Sequence, residues 1–231
     1  MARDDVFRVR SSAFPAIGEG VGEQAIINKQ GILVVADYFD QMVLSGRGYH
    51  MQVGTESAPV NSTVAIADTL VTMLADSAAG NIMIPMLYEV NFEFADTSLF
   101  AEAMLEVDKL KVRFSSGGAD FTPANLRSDD INSANGVFKV QSGAGIIALA
   151  KSAVPDSVEL ARKGLSEDVV TDPTTGKLAF NPIIYSVKER PICVIVDAGS
   201  ILGHLGATTA DVVGFQVLQF VQFPKAEVVA V

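Results

Sequence analysis

The side chains best suited to metal binding or acid–base chemistry are few and far apart in this sequence. The chain has two histidines, His50 and His204, and one cysteine, Cys193. Zinc sites need Cys, His or carboxylate ligands at close spacing, and neither histidine has such a neighbour along the chain. We therefore expect no bound metal. We interpret His204, which lies between Gly203 and Leu205, as a structural histidine.

The motifs that bind nucleotides or activate a serine are incomplete. In the glycine-rich segment GEGVG, residues 18–22, Glu23 stands where a dinucleotide fingerprint has its third glycine, and no Gly-Lys-Ser/Thr follows. Ser45 and Ser142 precede glycines but lack the pattern of a nucleophile elbow. The acidic pair Asp129–Asp130 does not fit a calcium loop. The sequence therefore predicts a protein that is not an enzyme, with no catalytic, cofactor-binding or metal-binding residues.

The composition indicates a protein that hides much apolar surface. Of 231 residues, 49% are hydrophobic and only 19% are charged, yet the longest uncharged run has 13 residues. That is shorter than the roughly 18 apolar residues of a membrane-spanning helix. The apolar surplus must lie in a core or against neighbouring subunits, which favours a homo-oligomer. The net charge of −10 argues against direct nucleic-acid binding. Cys193, in the run PICVIV, is expected in the core.

The length of the chain favours one large β-domain. Residues 1–29 hold Pro15 and several glycines, and we interpret them as an N-terminal arm. The first ten residues, MARDDVFRVR, carry too many charges for a secretory signal. Residues 30–225 form the predicted single domain, and residues 226–231 form a C-terminal tail.

The most regular pattern is the segment Asn81–Phe94, NIMIPMLYEVNFEF. From Tyr88 onward, aromatic and β-branched residues alternate with Glu and Asn, which is typical of a half-buried β-strand. The predicted buried face consists of Tyr88, Val90, Phe92 and Phe94. Small and turn-forming residues at 76–81 favour a tight reversal, so we expect a hairpin between Leu70–Ala75 and Ile82–Phe94.

Other short apolar segments bounded by turn-forming residues are also predicted to be strands. They are Gly31–Phe39, Gln41–Leu44, Tyr49–Val53, Ser62–Ile66, Leu110–Phe114, Val137–Val140, Gly145–Ala150, Leu178–Val187, Ile192–Val196, Ile201–Leu205 and Phe215–Phe223. The outer face of Leu110–Phe114 is basic and that of residues 88–94 is acidic, so we expect these two strands to pair. Ser115–Gly136 is polar and is predicted to be a long surface loop.

Two segments favour short helices. Thr97–Val107 shows both helical spacing and alternation, and its Glu, Ala, Met and Leu content favours a helix or turn. Asp156 as a cap, Glu159 three residues later and Gly164 past the end predict a second helix. The many short strands predict an all-β fold, a jelly-roll β-sandwich of about eight strands with one or two short helices in loops.

Three segments resemble structural proteins of tailless icosahedral phages with jelly-roll capsid subunits. They are Ala78–Asn81 followed by YEVNFEF, Ala198–Leu202 with the loop Gly206–Val213, and the last strand, Phe215–Phe223. The resemblance covers roughly half of the chain. It implies a bacteriophage capsid protein, located in the virion and made in the host cytoplasm, and it brings no active-site residues.

Such a subunit closes its own sandwich and binds identical subunits through edges, loops and terminal arms. Its acidic balance implies that other virion proteins, polyamines or an internal membrane neutralise the genome. The alternative is a receptor- or carbohydrate-binding β-sandwich, such as a spike or lectin-like module. Sugar sites usually present exposed aromatic rings, and this chain has no Trp and four Tyr. A third class, an enzyme on a β-scaffold, would need a clustered polar pocket.

Overall fold

The computed structural model describes residues 26–27, 33–34, 38–55, 57–61, 66, 69–94, 100–130, 132–142, 145–150, 157–166, 183–207 and 212–227. In this part, the chain forms one α-helix, α1 (Tyr38–Leu44), and one 3₁₀ helix (Lys225–Glu227). The strands are β1 (Ile26–Ile27), β2 (Leu33–Val34), β3 (Gly48–Val53), β4 (Val60–Asn61), β5 (Leu70–Val71), β6 (Met73–Ser77), β7 (Asn81–Phe94), β8 (Phe100–Asp108), β9 (Phe114–Ser116), β10 (Ala119–Asp120), β11 (Ala124–Asn125), β12 (Gly136–Val140), β13 (Ile147–Leu149), β14 (Ser157–Ser166), β15 (Ile183–Ser186), β16 (Ile195–Val196), β17 (Gly199–Ala207) and β18 (Val212–Pro224).

Two antiparallel sheets form a β-sandwich. Sheet I has the strand order β10-β12-β6-β17-β8-β14, and sheet II has the order β11-β3-β18-β7-β15. Eight of these strands can be numbered one to eight along the chain: β3, β6, β7, β8, β14, β15, β17 and β18. In this numbering, sheet I contains the order 2-7-4-5 and sheet II contains the order 1-8-3-6. This is the strand order of a jelly roll, so the predicted all-β fold is confirmed. A three-stranded sheet, β5-β13-β9, is called the cover sheet below.

One face of each sheet contributes to a shared apolar core. Its members include Met51, Met73, Ala75, Met83, Tyr88, Val90, Ala103, Leu105, Val107, Ile201, Leu205, Leu218 and Phe220. The predicted inward direction of Tyr88 and Val90 is confirmed, because both side chains are fully buried. The side chains of Phe92 and Phe94 lie outside the described residues. Cys193 is half-buried and packs against this core.

A β-bulge in β7 gives this strand two different buried faces. Leu87 pairs with Gln219 and Pro85 pairs with Phe220, so β7 has an extra residue between them. A shift of one residue reverses the direction of the side chains that follow. Tyr88 therefore faces the sandwich core, whereas Ile84 faces the outside of sheet II.

Helix α1 covers this outer face of sheet II. Met42 is buried there in an apolar cluster with Ile82, Ile84, Val221 and Phe223. Phe39, three residues before Met42, packs against the same cluster, as helical spacing requires. The strands predicted at Gly31–Phe39 and Gln41–Leu44 are therefore wrong except at β2, because packing onto sheet II gives these apolar residues a helical face. Residues 31–32 and 35–37 lie outside the described residues.

The predicted hairpin is an arch between the two sheets. The turn follows β6 and precedes β7 as expected, but β6 pairs with β12 and β17 in sheet I, while β7 pairs with β18, β15 and β16 in sheet II. Residues Leu70–Val71 form the separate strand β5 in the cover sheet. Local turn chemistry predicts a reversal of the chain, but the pairing partners come from distant segments.

Both predicted helices are strands. Phe100–Asp108 forms β8, which lies between β17 and β14, and Ser157–Ser166 forms β14 beside it. The alternating residues Ala103, Leu105 and Val107 are buried in the sandwich core, so the period of two prevails over helix propensity. Residues 97–99 and the proposed cap Asp156 lie outside the described residues.

The strand predicted at Leu110–Phe114 is wrong for its first four residues, and Phe114 belongs to β9, which pairs with β13 rather than β7. The loop predicted at Ser115–Gly136 contains the short strands β10 and β11. Of the strand predicted at Ser62–Ile66, only Ile66 is described, and it is outside any strand.

The termini are described only in part. Within the arm predicted at residues 1–29, Ile26–Ile27 forms β1, which pairs with β2. Within the tail predicted at residues 226–231, the 3₁₀ helix ends at Glu227. The remaining residues of both segments lie outside the described part. No helix in the described part is long and apolar enough to cross a membrane.

A buried hydrogen-bond network joins the two sheets. The hydroxyl of Tyr88 on β7 lies 3.1 Å from the carbonyl oxygen of His204 on β17 and 3.0 Å from Oε1 of Gln216, and these two acceptors share its one proton. Gln216 Nε2 donates to Thr72 Oγ1 at 2.6 Å, and Thr72 Oγ1 donates to the carbonyl of Gly203 at 2.8 Å. A Cβ atom at position 203 would lie 3.1 Å from both Gln216 Oε1 and Tyr88 Cε2, so glycine permits this close approach.

We expect Tyr88→Phe to lower the free energy of unfolding by about 1–3 kcal/mol, because two buried acceptors lose their donor. Urea unfolding followed by circular dichroism measures this change. Tyr49→Phe is the matched control. Tyr49 is also buried and stacks on Phe220, but its hydroxyl makes no hydrogen bond to a described residue, so we expect a change below about 0.5 kcal/mol. Equal effects of the two substitutions would contradict the assignment.

Candidate functional site

The largest group of buried charged side chains in the described part lies on the outer face of sheet I, away from the sandwich core. It contains Asp76 on β6, Glu106 and Asp108 on β8, His204 on β17, and Arg113 after β8. Strand alternation explains this placement. Leu105 and Val107 point into the core, so Glu106 and Asp108 point the other way.

Asp76 and Ser200 bind the backbone of the segment that follows β8. Asp76 Oδ2 accepts the N–H of Phe114 at 2.9 Å, and Ser200 Oγ accepts the N–H of Arg113 at 2.9 Å. Ser200 Oγ also lies 2.5 Å from Asp76 Oδ1 and 2.9 Å from the carbonyl oxygen of Lys111. Burial raises the pKa of Asp76, although the hydrogen bonds from Ser200, Phe114 and Arg113 act in the opposite direction. The pair therefore satisfies polar backbone groups beside β9 that sheet pairing does not reach.

Arg113 is almost completely buried, with 2% of its side chain exposed. Its Nε donates to the carbonyl oxygen of Ala150 at 2.7 Å, and one terminal nitrogen lies 3.4 Å from Asp108 Oδ2 and 4.0 Å from Glu106 Oε1. Asp108 Oδ1 in turn accepts the N–H groups of Leu110 and Lys111. A buried guanidinium is tolerated only when carboxylates and carbonyls surround it, as they do here.

Glu106 lies between a serine and a histidine. Its Oε1 accepts a hydrogen bond from Ser157 Oγ, and its Oε2 lies 3.3 Å from Nε2 of His204. Burial raises the pKa of Glu106, but the His204 side chain and the charges of His204, Arg113 and Arg162 outweigh burial, so the pKa lies below its ordinary value. A serine nucleophile needs a base that takes its proton and is oriented by an acid. Here Ser157 contacts the carboxylate of Glu106 rather than the imidazole of His204, so Ser157, His204 and Glu106 do not form a catalytic triad.

This charged cluster holds the cover sheet onto sheet I. Next to it, an apolar cluster joins sheet I to the cover sheet. Its members are Val71, Leu74, Ile147, Leu149 and Leu202, and Phe114 packs against them. Strand β17 is consequently buried on both faces along its whole length. The charged cluster therefore stabilises the cover sheet as a third layer of the fold.

At one end of the sandwich, Asp197 joins three segments. Its Oδ1 accepts the N–H of Gly80 in the turn before β7 at 3.1 Å, and its Oδ2 lies 2.6 Å from Nζ of Lys225 after β18. Its own N–H donates to the carbonyl of Asn81. Asp197 has a positive φ of 68°, which is uncommon outside glycine although Asp adopts it more readily than most residues, and these contacts hold it there. The hydrogen bond from Lys225 lowers the pKa of Asp197.

The structure places the residues considered from the sequence as follows. His204 is buried, as a structural histidine should be, but Glu106 reaches it from the neighbouring strand, a contact that spacing along the chain does not show. His50 is half-buried on β3 opposite Gln219, far from His204 in the strand order. Asp129 pairs with Arg127 at 2.6 Å at the surface. No group of three metal-binding side chains occurs among the described residues.

Sequence reasoning did not identify the charged cluster, although it left a signal. Asp76, Glu106 and Asp108 are acidic residues that each follow an apolar strand residue and point out of the main core. On a sheet exposed to solvent they would be unremarkable polar positions. Only the cover sheet, built from β5, β9 and β13, makes their faces interior.

Comparison with protein-family models, with curated proteins and with solved structures found no match for this chain.

We expect Arg113→Met to lower the free energy of unfolding by about 3–5 kcal/mol, because the buried carboxylates of Asp108 and Glu106 lose their counter-ion. Arg127→Met is the control, since Arg127 forms its ion pair at the surface, where solvent screens the charges, and we expect a much smaller loss. Urea unfolding at pH 7 measures both variants. A loss for Arg113→Met no larger than that of the control would contradict the structural role of the cluster.

Glu106 gives a prediction about pH. Because its folded-state pKa lies below the unfolded value near 4.5, its ionised form adds stability that is present above that pH and is lost as pH falls through the folded-state pKa. We expect Glu106→Gln to reduce the free energy of unfolding at pH 7 and to have a much smaller effect in the acid range. Urea unfolding of both proteins from pH 7 to pH 3 tests this. A pH-independent difference would show that the charge of Glu106 is not the cause.

Proposed function

We propose that this protein is a structural subunit of an icosahedral virus capsid that self-assembles through its β-sandwich edges, loops and terminal arms. The single observation that carries this proposal is the jelly-roll strand order of sheets I and II. Viral capsid domains and lectin domains are two groups of proteins that use this architecture. The argument is an analogy at the level of the fold, supported by the composition and the surface.

The buried polar groups described above support a structural role. The carboxylates of Asp76, Asp108 and Glu106 are occupied by backbone N–H groups, Ser157, His204 and Arg113. These contacts hold the cover sheet and the segment after β8 in place. A shell subunit benefits from such internal cross-links, because its surface contacts must meet in a fixed geometry.

The aromatic residues favour the capsid over the lectin-like alternative. Tyr49, Tyr88 and Tyr185 are buried in the sandwich core, so their rings do not form a platform for a sugar. The large apolar side chains that are exposed in the described part are Leu, Ile and Val residues. Aliphatic surface of this kind suits contacts between protein subunits.

The proposal assigns partners and location. The principal partners are identical subunits in a homo-oligomeric shell, with other virion proteins or an internal membrane as further partners. The net charge of −10 leaves neutralisation of the genome to those partners rather than to direct nucleic-acid binding by this chain. The bacteriophage protein would be made in the host cytoplasm and located in the virion.

We expect the purified protein to form closed shells, or discrete trimers, pentamers or hexamers. Size-exclusion chromatography with light scattering across protein and salt concentration measures the mass, and negative-stain electron microscopy shows the shape. A protein that remains a monodisperse monomer under all conditions would contradict the capsid proposal. Binding to a glycan array by that monomer would then support the receptor- or carbohydrate-binding alternative.

A further inference from the structure

The chain enters β12 through the pair Asn135–Gly136, and Asn135 is the one asparagine of the sequence that glycine follows. Asparagine is a thermally labile residue, because the next backbone nitrogen can attack the carbon of its side-chain amide. Glycine makes this attack easiest, since it has no Cβ to hinder the approach. In a folded protein, the outcome depends on how the amide and the nitrogen are held.

The side chain of Asn135 is exposed and makes no hydrogen bond to a described residue. Its backbone, by contrast, is bound at both polar groups. The N–H donates to Gln222 Oε1 at 2.6 Å, and the carbonyl oxygen accepts Gln222 Nε2 at 2.9 Å and the N–H of Ala78 at 3.2 Å. The side-chain amide can therefore rotate toward Gly136 while the surrounding backbone keeps its place.

The backbone nitrogen of Gly136 faces away from β6. Gly136 lies opposite Ser77, and the hydrogen bond beside this pair runs from the N–H of Ala78 to the carbonyl of Asn135. In an antiparallel ladder, this position makes Gly136 and Ser77 a pair that exchanges no hydrogen bonds. On its other side, β12 is in register with β10 only at its last two residues, and Gly136 is the first. Gly136 is also exposed, so sheet pairing leaves its nitrogen unprotected.

Packing requires the glycine at this position. A Cβ atom on residue 136 would lie 1.9 Å from the backbone carbonyl oxygen of Asp76 on β6. The first residue of β12 thus approaches β6 too closely for any side chain to fit. The fold therefore retains the residue that makes the preceding asparagine reactive.

We propose that Asn135–Gly136 is a site of spontaneous deamidation in the folded protein, which converts Asn135 to aspartate and isoaspartate and opens the contact with Gln222. The nitrogen of Gly136 attacks Cγ of Asn135 and closes a five-membered succinimide ring. The bond from Cγ to the side-chain nitrogen breaks, and that nitrogen leaves as ammonia with the proton of Gly136. Water then opens the ring. Attack at Cγ gives aspartate, and attack at the former main-chain carbonyl gives isoaspartate.

Isoaspartate changes the connection between the two sheets. The chain then runs through Cβ and Cγ of residue 135, so its backbone is one atom longer and the former main-chain carbonyl becomes a free carboxylate. Gln222, on β18 and only 3% exposed, binds both the N–H and the carbonyl of the normal residue. The longer backbone does not present both groups at this spacing, so a buried amide loses partners. This inference is independent of the capsid proposal.

The first experiment measures where the folded protein deamidates. Trypsin cleaves after Arg127 and Lys139, so one peptide, residues 128–139, contains both Asn135 and Asn132, which is also exposed but precedes a serine. Mass spectrometry of this peptide from aged protein compares the two sites. We expect Asn135 to convert at least about tenfold faster than Asn132. Equal rates at the two asparagines, or folding that slows conversion of Asn135 more than about a hundredfold relative to urea-unfolded protein, would overturn the proposal.

Two variants test the structural consequence. Asn135→Gln would have to close a six-membered ring, so we expect its urea midpoint to stay constant while that of wild-type protein falls as isoaspartate accumulates. Labelling by an isoaspartyl methyltransferase measures that accumulation. Asn135→Asp carries the new charge on a backbone of normal length, and we expect the fresh variant to unfold at the midpoint of fresh wild-type protein. A fresh Asn135→Asp variant as weak as aged wild-type protein would assign the loss to charge and overturn the role of the longer backbone. Isoaspartate without any change of midpoint would overturn it as well.

Discussion

The burial of Arg113 is the interaction on which the layered architecture depends. Its side chain binds Asp108 on β8 and the carbonyl of Ala150 after β13, while its backbone N–H binds Ser200 on β17. One residue thus joins two strands of sheet I to the cover sheet. The arrangement is stable only as a complete set, because removing any charged member leaves another buried charge without a partner. On the rest of the outer face of sheet I, buried charged groups are paired in the same way, as in the contact between Glu106 and His204.

Strand β17 shows how the two polar networks share one framework. On its outer side lie Ser200 and His204 of the charged cluster, while the carbonyl of Gly203 receives the hydrogen bond of Thr72 from the neighbouring segment. Tyr88 then connects this strand to sheet II. Because buried polar groups must be paired, these contacts restrict how the three layers can slide or separate.

The local pattern predicted some elements well. The alternation from Tyr88 to Val90 correctly identified a buried face of β7, and the strand predictions at residues 49–53, 137–140 and 215–223 match β3, β12 and β18. Helix propensity failed at β8 and the capping pattern failed at β14, because pairing within sheet I requires a strand at both places. The strand prediction failed at α1, where the apolar residues fit a helix packed on sheet II. The candidate site was not predictable, because its residues are far apart in the sequence. Asp76 contacts Arg113, which lies 37 positions away, and Ser200, which lies 124 positions away.

The sequence by itself determined the all-β class, the acidic balance and the shortage of residues suited to chemistry. Composition and a period of two are local properties, so they can be read without knowing which segments meet. The tertiary structure decided that β6 and β7 arch between sheets and that Arg113 is buried. It also decided that Ile192, Val194 and Val196 remain exposed. These features depend on pairing between distant strands, because the face a side chain occupies becomes interior or surface only when another layer covers it or leaves it open.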